Sequence, residues 1–430
     1  MKTILSLAIV FFIATEGLFV GQFVFAGISG YRWIELLLFI FVLKSFFLDL
    51  KTNTFLVYYL KFLFLLFLFL WLKSGYLIFF EHYLDTDIFK QMFRLCFFMI
   101  VPYLIYYIIQ RNIIYLKLIL LLEVLIFLVG FFQFPLTPFT DFAWEIKKVY
   151  FMANSGHEIG KLMDRIPGLY GFAIPFSYVL ASGGILTTYL YKKTNNIIYL
   201  YTLYLILIIA AMTLTRSIVI ALLVLIVYAS FSKAERTRTR IDIIINYLLI
   251  IGISYIAVNL FIENMDTFSR ISNVKGESAE GRIPLLITGI YALLLGPLGV
   301  TPETYELARK TMFLTFHNID IFRYAAHNGL VNFALYYTVP GLFYLFYSLY
   351  KINKIFLNCL SKQMKLFFVM SSIAYLLQSF FHNDFIFVKD FNILILVALL
   401  AYEYKRVCIM EKYSIKIEEK DYVKKNIYAR

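Results

Sequence analysis

Apolar residues follow one another along most of this chain in runs of about 20, separated by short polar connections, where an amphipathic soluble helix would alternate faces every three to four residues. At 1.5 Å of rise per residue, such a run spans the roughly 30 Å hydrocarbon layer of a bilayer as a helix. The pattern predicts helices over Ile4–Phe25, Trp33–Leu48, Thr54–Leu72, Met92–Gln110, Ile113–Phe134 and Leu169–Tyr191. It continues with Asn196–Thr213, Arg216–Ser232, Ile241–Ile262, Leu330–Tyr350, Leu366–Phe381 and Val388–Tyr404. The expected fold is therefore an all-α polytopic membrane protein with about 12 transmembrane helices. Residues 1–404 would form one integral membrane domain and 405–430 a basic cytoplasmic tail. The first run follows Lys2 as a signal peptide would, but it is long and has no clear small-x-small cleavage site, so it reads as a retained helix.

Two connections interrupt the rhythm, about 135–168 and 263–329, and both fall on the side opposite the termini. Loops of this length are usually functional or disordered, and the aromatic residues scattered through both favour folding against the membrane domain. The second holds an apolar run, Ile283–Leu295, too short to span. It reads as a re-entrant or interfacial helix, with Pro284 in its first turn and Gly296–Pro297 ending it.

Composition agrees: 61% of residues are hydrophobic and 16% charged, against about 45–50% and about 25% in soluble domains. The net charge of +13 could signal a nucleic-acid surface, but its placement argues otherwise. Lys51, Arg111, Lys192, Lys193, Lys233, Arg236, Arg238, Arg240, Lys351, Lys354, Lys362 and Lys365 all fall in alternate connections, and eight more basic residues follow Tyr404. That asymmetry is the positive-inside pattern, with both termini cytoplasmic and no nucleic-acid partner implied. Cys96, Cys359 and Cys408 are too scattered for a disulfide framework or a metal cluster.

Against this apolar background the polar residues that carry chemistry are few. The histidines, His82, His157, His317, His327 and His382, all sit in external connections or at external span ends. Imidazole, with a pKa near 6.5, is the natural proton acceptor at neutral pH. Arg216 lies within LTRS where one apolar span meets the next, and no acidic residue stands between Asp164 and Glu235. A charge at membrane depth costs at least about 2.5–3.5 kcal/mol on insertion scales and usually has a functional partner; snorkelling to lipid phosphates is the alternative. Arg282 precedes the short helix in ESAEGRIPLL, beside Glu277 and Glu280, where a local salt bridge competes with a phosphate site at the helix N-terminus. His327–Asn328 stands where the second loop re-enters the bilayer, and Asn328 is also a natural helix cap. Arg165, Arg270 and Arg323 are further external cations suited to binding substrate. The Asp85–Thr86–Asp87 triplet could serve a metal, but its short loop makes that a weak reading.

The ordered set LTRS (214–217), EGR (280–282), GPLGV (296–300) and HN (327–328) resembles the O-antigen polymerase and O-antigen ligase superfamily of bacterial envelope enzymes. RIPGLYGFAIPFSYVLASGG (165–184) is similar to the family segment that enters the membrane after its first large loop. The likeness spans roughly residues 165–350, and Thr301–Pro302 departs from the fuller glycine pattern of the ligases. It implies glycosyl transfer at the outer face of the bacterial inner membrane from a saccharide on undecaprenyl diphosphate, without metal or cofactor. Arg216 and Arg282 would then stabilise the diphosphate leaving group, with His327 as general base or acceptor-positioning group. Arg165, Arg270, Arg323 and Asn328 would bind substrate. A chain-length regulator and a flippase are the implied protein partners. Polymerase activity is favoured over ligation to lipid A–core. A polysaccharide transporter or a scaffold protein is the rival class, although transporters usually carry inverted repeats that this chain lacks.

Overall fold

The computed structural model describes residues 2–15, 18, 24–25, 28–134, 138–151, 166–170, 173–213, 215–231, 282–316, 328–380 and 391–428. Within them the chain is helical apart from one short antiparallel pairing, Val24–Phe25 with Ile28–Ser29. Helices α1 to α5 are Lys2–Ala14, Gly30–Thr52, Thr54–Phe80, Thr86–Arg111 and Ile114–Phe132. Next come α6 (Thr140–Phe151), α7 (Ala173–Thr194), α8 (Ile197–Met212) and α9 (Arg216–Phe231). After the second long connection lie α10 (Arg282–Leu295), α11 (Pro302–Phe316), α12 (Gly329–Lys351), α13 (Lys362–Phe380) and α14 (Phe391–Tyr428). A π-turn (Ile352–Phe356) and a 3-10 turn (Leu357–Cys359) prolong α12.

Four of the described helices are long and apolar enough to cross a membrane: α3, α4, α5 and α12 with its prolongation to Cys359. The first expected span is corrected, because α1 ends at Ala14, where Glu16 and Gly17 interrupt the apolar run. Thirteen residues rise only about 20 Å, short of a hydrocarbon layer. The expected span Ile241–Ile262 lies outside the described residues. The tail is helical too: α14 runs unbroken through residues 405–428. The two helices in the long connections that the apolar pattern did not predict are α6 and α11.

The central element is α4, buried over 78% of its most apolar stretch. Phe41, Phe64 and Trp71 are 65%, 59% and 62% exposed on the outer surface, where rings of this size are at home only in an apolar medium.

Polar contacts define two poles. At one, Lys405 pairs with Asp49 at 2.6 Å, and Glu403 pairs with Lys193 at 2.6 Å while accepting from the Tyr189 hydroxyl at 2.5 Å. Asn53 caps α3 and donates to the Ala401 carbonyl at 3.0 Å. Arg111 donates to the Lys2 carbonyl at 3.2 Å, and Lys192 to the Ala229 carbonyl at 3.2 Å. This clamp pole gathers the beginnings of α1 and α3 and the ends of α2, α4, α7 and α9. The opposite, loop pole receives the ends of α3 and α5 and the beginnings of α4, α7 and α9.

Candidate functional site at the loop pole

Asn328 begins α12 with an extended backbone, and its side-chain oxygen accepts from the Leu330 and Val331 N–H groups at 3.0 and 3.1 Å. Two otherwise orphaned helix donors are satisfied in this way. Its amide also donates to the Phe380 carbonyl at 3.4 Å, joining the start of α12 to the end of α13. Asn328 is buried, so the cap is held on both sides.

Arg216 reaches the same pole by a separate argument. The Tyr228 hydroxyl, near the end of α9, donates to the Gln363 carbonyl at the start of α13 at 2.9 Å. The two helices pack against each other, so they run antiparallel and the first residue of α9 faces the Phe380 end of α13. The lead-in is polar and buried: Thr213, Thr215 and Ser217 are all enclosed, and the Thr213 hydroxyl accepts from the Thr215 N–H at 3.3 Å.

A pair that the sequence gave no reason to join lies beside Asn328. Gln378 of α13 accepts from the Asn392 side-chain amide of α14 at 3.2 Å, and both residues are fully buried. Among the described residues, Gln378 Nε2, Asn392 Oδ1 and the Ser379 hydroxyl have no hydrogen-bond partner. Buried polar groups are nearly always paired, so three such atoms close together on α13 and α14 mark an unusually polar spot in the packing.

Deeper in, α12 is broken. Thr338 has φ 71° and ψ 167°, a region that is essentially glycine's alone, and Pro340 offers no N–H to the preceding turn. The freed groups find partners in other segments. Val339 N–H donates to the Pro297 carbonyl at 3.1 Å, and Lys73 Nζ of α3 donates to the Leu335 carbonyl at 2.8 Å. Gln91 of α4 donates to the Tyr337 hydroxyl at 2.7 Å. The GPLG turn after α10 is thus seated against the middle of α12, and α10 packs alongside it.

Arg216 and Arg282 are the first residues of α9 and α10, where the free N–H groups and positive dipole end favour an anion. His327, Arg165, Arg270 and Arg323 lie outside the described residues. Asp85 caps α4 through the Asp87 N–H, and Asp87 pairs with Lys90 at 2.8 Å, which gives this triplet a structural role. Among the described residues no group of three or more His, Cys, Asp or Glu side chains could hold a metal ion. Comparison of the whole chain with protein-family models, with curated proteins and with solved structures finds no match in any of the three.

Proposed function

We propose that the protein is a bacterial inner-membrane polysaccharide polymerase that moves a growing glycan from undecaprenyl diphosphate onto a lipid-linked repeat unit. Both termini would be cytoplasmic and the loop pole would face outward. The observation that carries this reading is that α9, which begins with Arg216, and α12, which begins just after His327–Asn328, open at one pole of the bundle. Two segments more than 100 residues apart, each chosen on chemical grounds, thus begin helices toward the same end of α13, the end that carries the buried Gln378.

The chemistry follows from charge. Breaking the anomeric bond to a diphosphate adds negative charge to the leaving oxygen, and preplaced guanidinium groups and helix N-termini stabilise that charge as it develops. Arg216 and Arg282 have this role. The acceptor hydroxyl loses its proton as the new bond forms, and His327 takes it or positions it, a contribution worth about 10²–10⁴ in rate.

The test is complementation of a deletion strain, read as a lipopolysaccharide ladder. His327→Ala should abolish polymer while membrane protein persists, and Arg216→Lys should lose most of it, since an ammonium lacks the bidentate fork. Polymer at the wild-type level from His327→Ala overturns the assignment. Bare core with accumulated lipid-linked polymer would mark a ligase instead.

A further inference from the structure

In an unbroken helix the Leu335 carbonyl would accept from the Val339 N–H four residues on. The break at Thr338 falls between them, and each group is taken by a different element. Lys73 Nζ of α3 donates to the Leu335 carbonyl at 2.8 Å, and the Val339 N–H donates to the Pro297 carbonyl at 3.1 Å. Helix α12 is thus two half-helices, residues 329–337 toward the loop pole and 339–351 toward the clamp pole. The Thr338 hydroxyl accepts from the Gly341 N–H at 3.5 Å, so the second half carries its own cap.

Side chains of other elements, more than backbone continuity, set the direction of the first half. At its start Asn328 donates to the Phe380 carbonyl of α13 at 3.4 Å. Toward its end the Tyr337 hydroxyl accepts from Gln91 of α4 at 2.7 Å, and Lys73 holds Leu335 from α3. Lys73 is 5% exposed, and its ammonium lies 5.9 Å from the Tyr336 ring centroid. The GPLG turn is braced by the same helix. A Cβ at Gly299 would come within 3.1 Å of the Leu77 side chain, and Leu77 lies one turn along α3 from Lys73. One face of one helix therefore grips both the Leu335 carbonyl and the turn that took its partner. Enclosing an ammonium is costly, and an apolar residue at position 73 would avoid that cost. What the cost secures is the direction of residues 329–337.

We propose that Lys73 is a positioning residue, which fixes the first half of α12 and with it the place of Asn328, the residue after His327. The inference rests on the glycan-transfer reading and adds to it a side chain that acts through the backbone of α12, not on the reacting atoms. A misplacement of about 1 Å at a reacting group can cost about 10² in rate, so a small turn of the half-helix is enough.

The experiment uses the full chain in nanodiscs with Cys96, Cys359 and Cys408 replaced by serine. Spin labels at Val331→Cys and Tyr350→Cys, one in each half of α12, report their separation by double electron–electron resonance. The parent should give one narrow distance. Lys73→Met should move or broaden it, and Lys73→Arg, which keeps a charged donor, should restore it. Gln91→Met removes the donor to Tyr337, should broaden the distance as well, and supplies the reading if Lys73→Met does not fold. In glycan transfer, Lys73→Met should lower kcat per folded molecule about 10- to 100-fold with KM within about twofold, and Lys73→Arg should recover it. A merely structural role would reduce the amount of folded protein and move neither readout. An unchanged distance in the folded variants, or a native kcat in folded Lys73→Met, overturns the proposal. Absence of transfer by the native chain would overturn the glycan-transfer reading by itself, while the distances still decide whether Lys73 directs α12.

Discussion

At the residue scale the unusual groups are single cations and amides held where water does not reach. Lys147 titrates near 8 because burial disfavours its charged form. Between about pH 8 and the ordinary lysine range near 10.4, the unfolded chain holds a proton that the folded chain has released, so stability rises with pH across that window. Below it both states are protonated and the cost of enclosing the ammonium is fully present. Labelling of Lys147 with an amine-specific reagent should reach half its maximal rate near pH 8. A midpoint shared with the exposed lysines would contradict the burial. Asn328 is the second case. Replacing it by alanine removes the cap and the link to Phe380 and should cost about 1 kcal/mol or more in thermal unfolding. Asn328→Asp keeps the capping oxygen but loses the donor, so its loss should be smaller.

The elements divide into those that hydropathy predicts and those that tertiary contacts decide. Helices α3, α4, α5, α7, α8, α9, α12 and α13 fall on apolar runs that the sequence marks plainly, because a continuous apolar stretch has few other ways to satisfy its backbone away from water. The end of α1 at Ala14 was misread, since apolar residues resume beyond Glu16 and Gly17 and hide the interruption. The helix of α6 was hidden inside a polar loop, although the spacing of Phe142, Ala143 and Ile146 could have revealed it. The break in α12 had a signal in Pro340, but its repair by Lys73 and Pro297 depends on segments far away in sequence. Thr338 bears a strained backbone there, worth about 1–3 kcal/mol. Thr338→Gly should therefore raise the melting temperature or leave it unchanged. A drop comparable to an ordinary helix-interior glycine would mean that the break is not strained. Lys73→Met should do the opposite, because it takes from the Leu335 carbonyl the donor that replaces its helical partner at the break.

For the whole molecule, the two poles are held by different contacts. The clamp pole is stitched by residues as distant in sequence as Asp49 and Lys405, which neither hydropathy nor charge counting pairs. Glu403→Gln should destabilise, because it removes the buried negative charge that Lys193 and Arg406 both face, and thermal unfolding measures the loss. The loop pole was legible in part. Arg216 and Asn328 announced themselves as polar residues at the edges of apolar runs, and the fold brings their helix starts to one end. Gln378, Asn392 and Lys147 did not, because what distinguishes each is burial with few partners among the described residues, a property of packing that no short stretch of sequence contains. The central claim is that this pole transfers glycan from a lipid diphosphate. Purified protein in liposomes, given a synthetic undecaprenyl-diphosphate saccharide with no ion gradient and with a metal chelator present, measures it directly. The account predicts longer lipid-linked glycans from the native chain and none from Arg216→Ala or His327→Ala. Unextended saccharide from a folded native chain, or its movement across the bilayer without any new glycosidic bond, would contradict it.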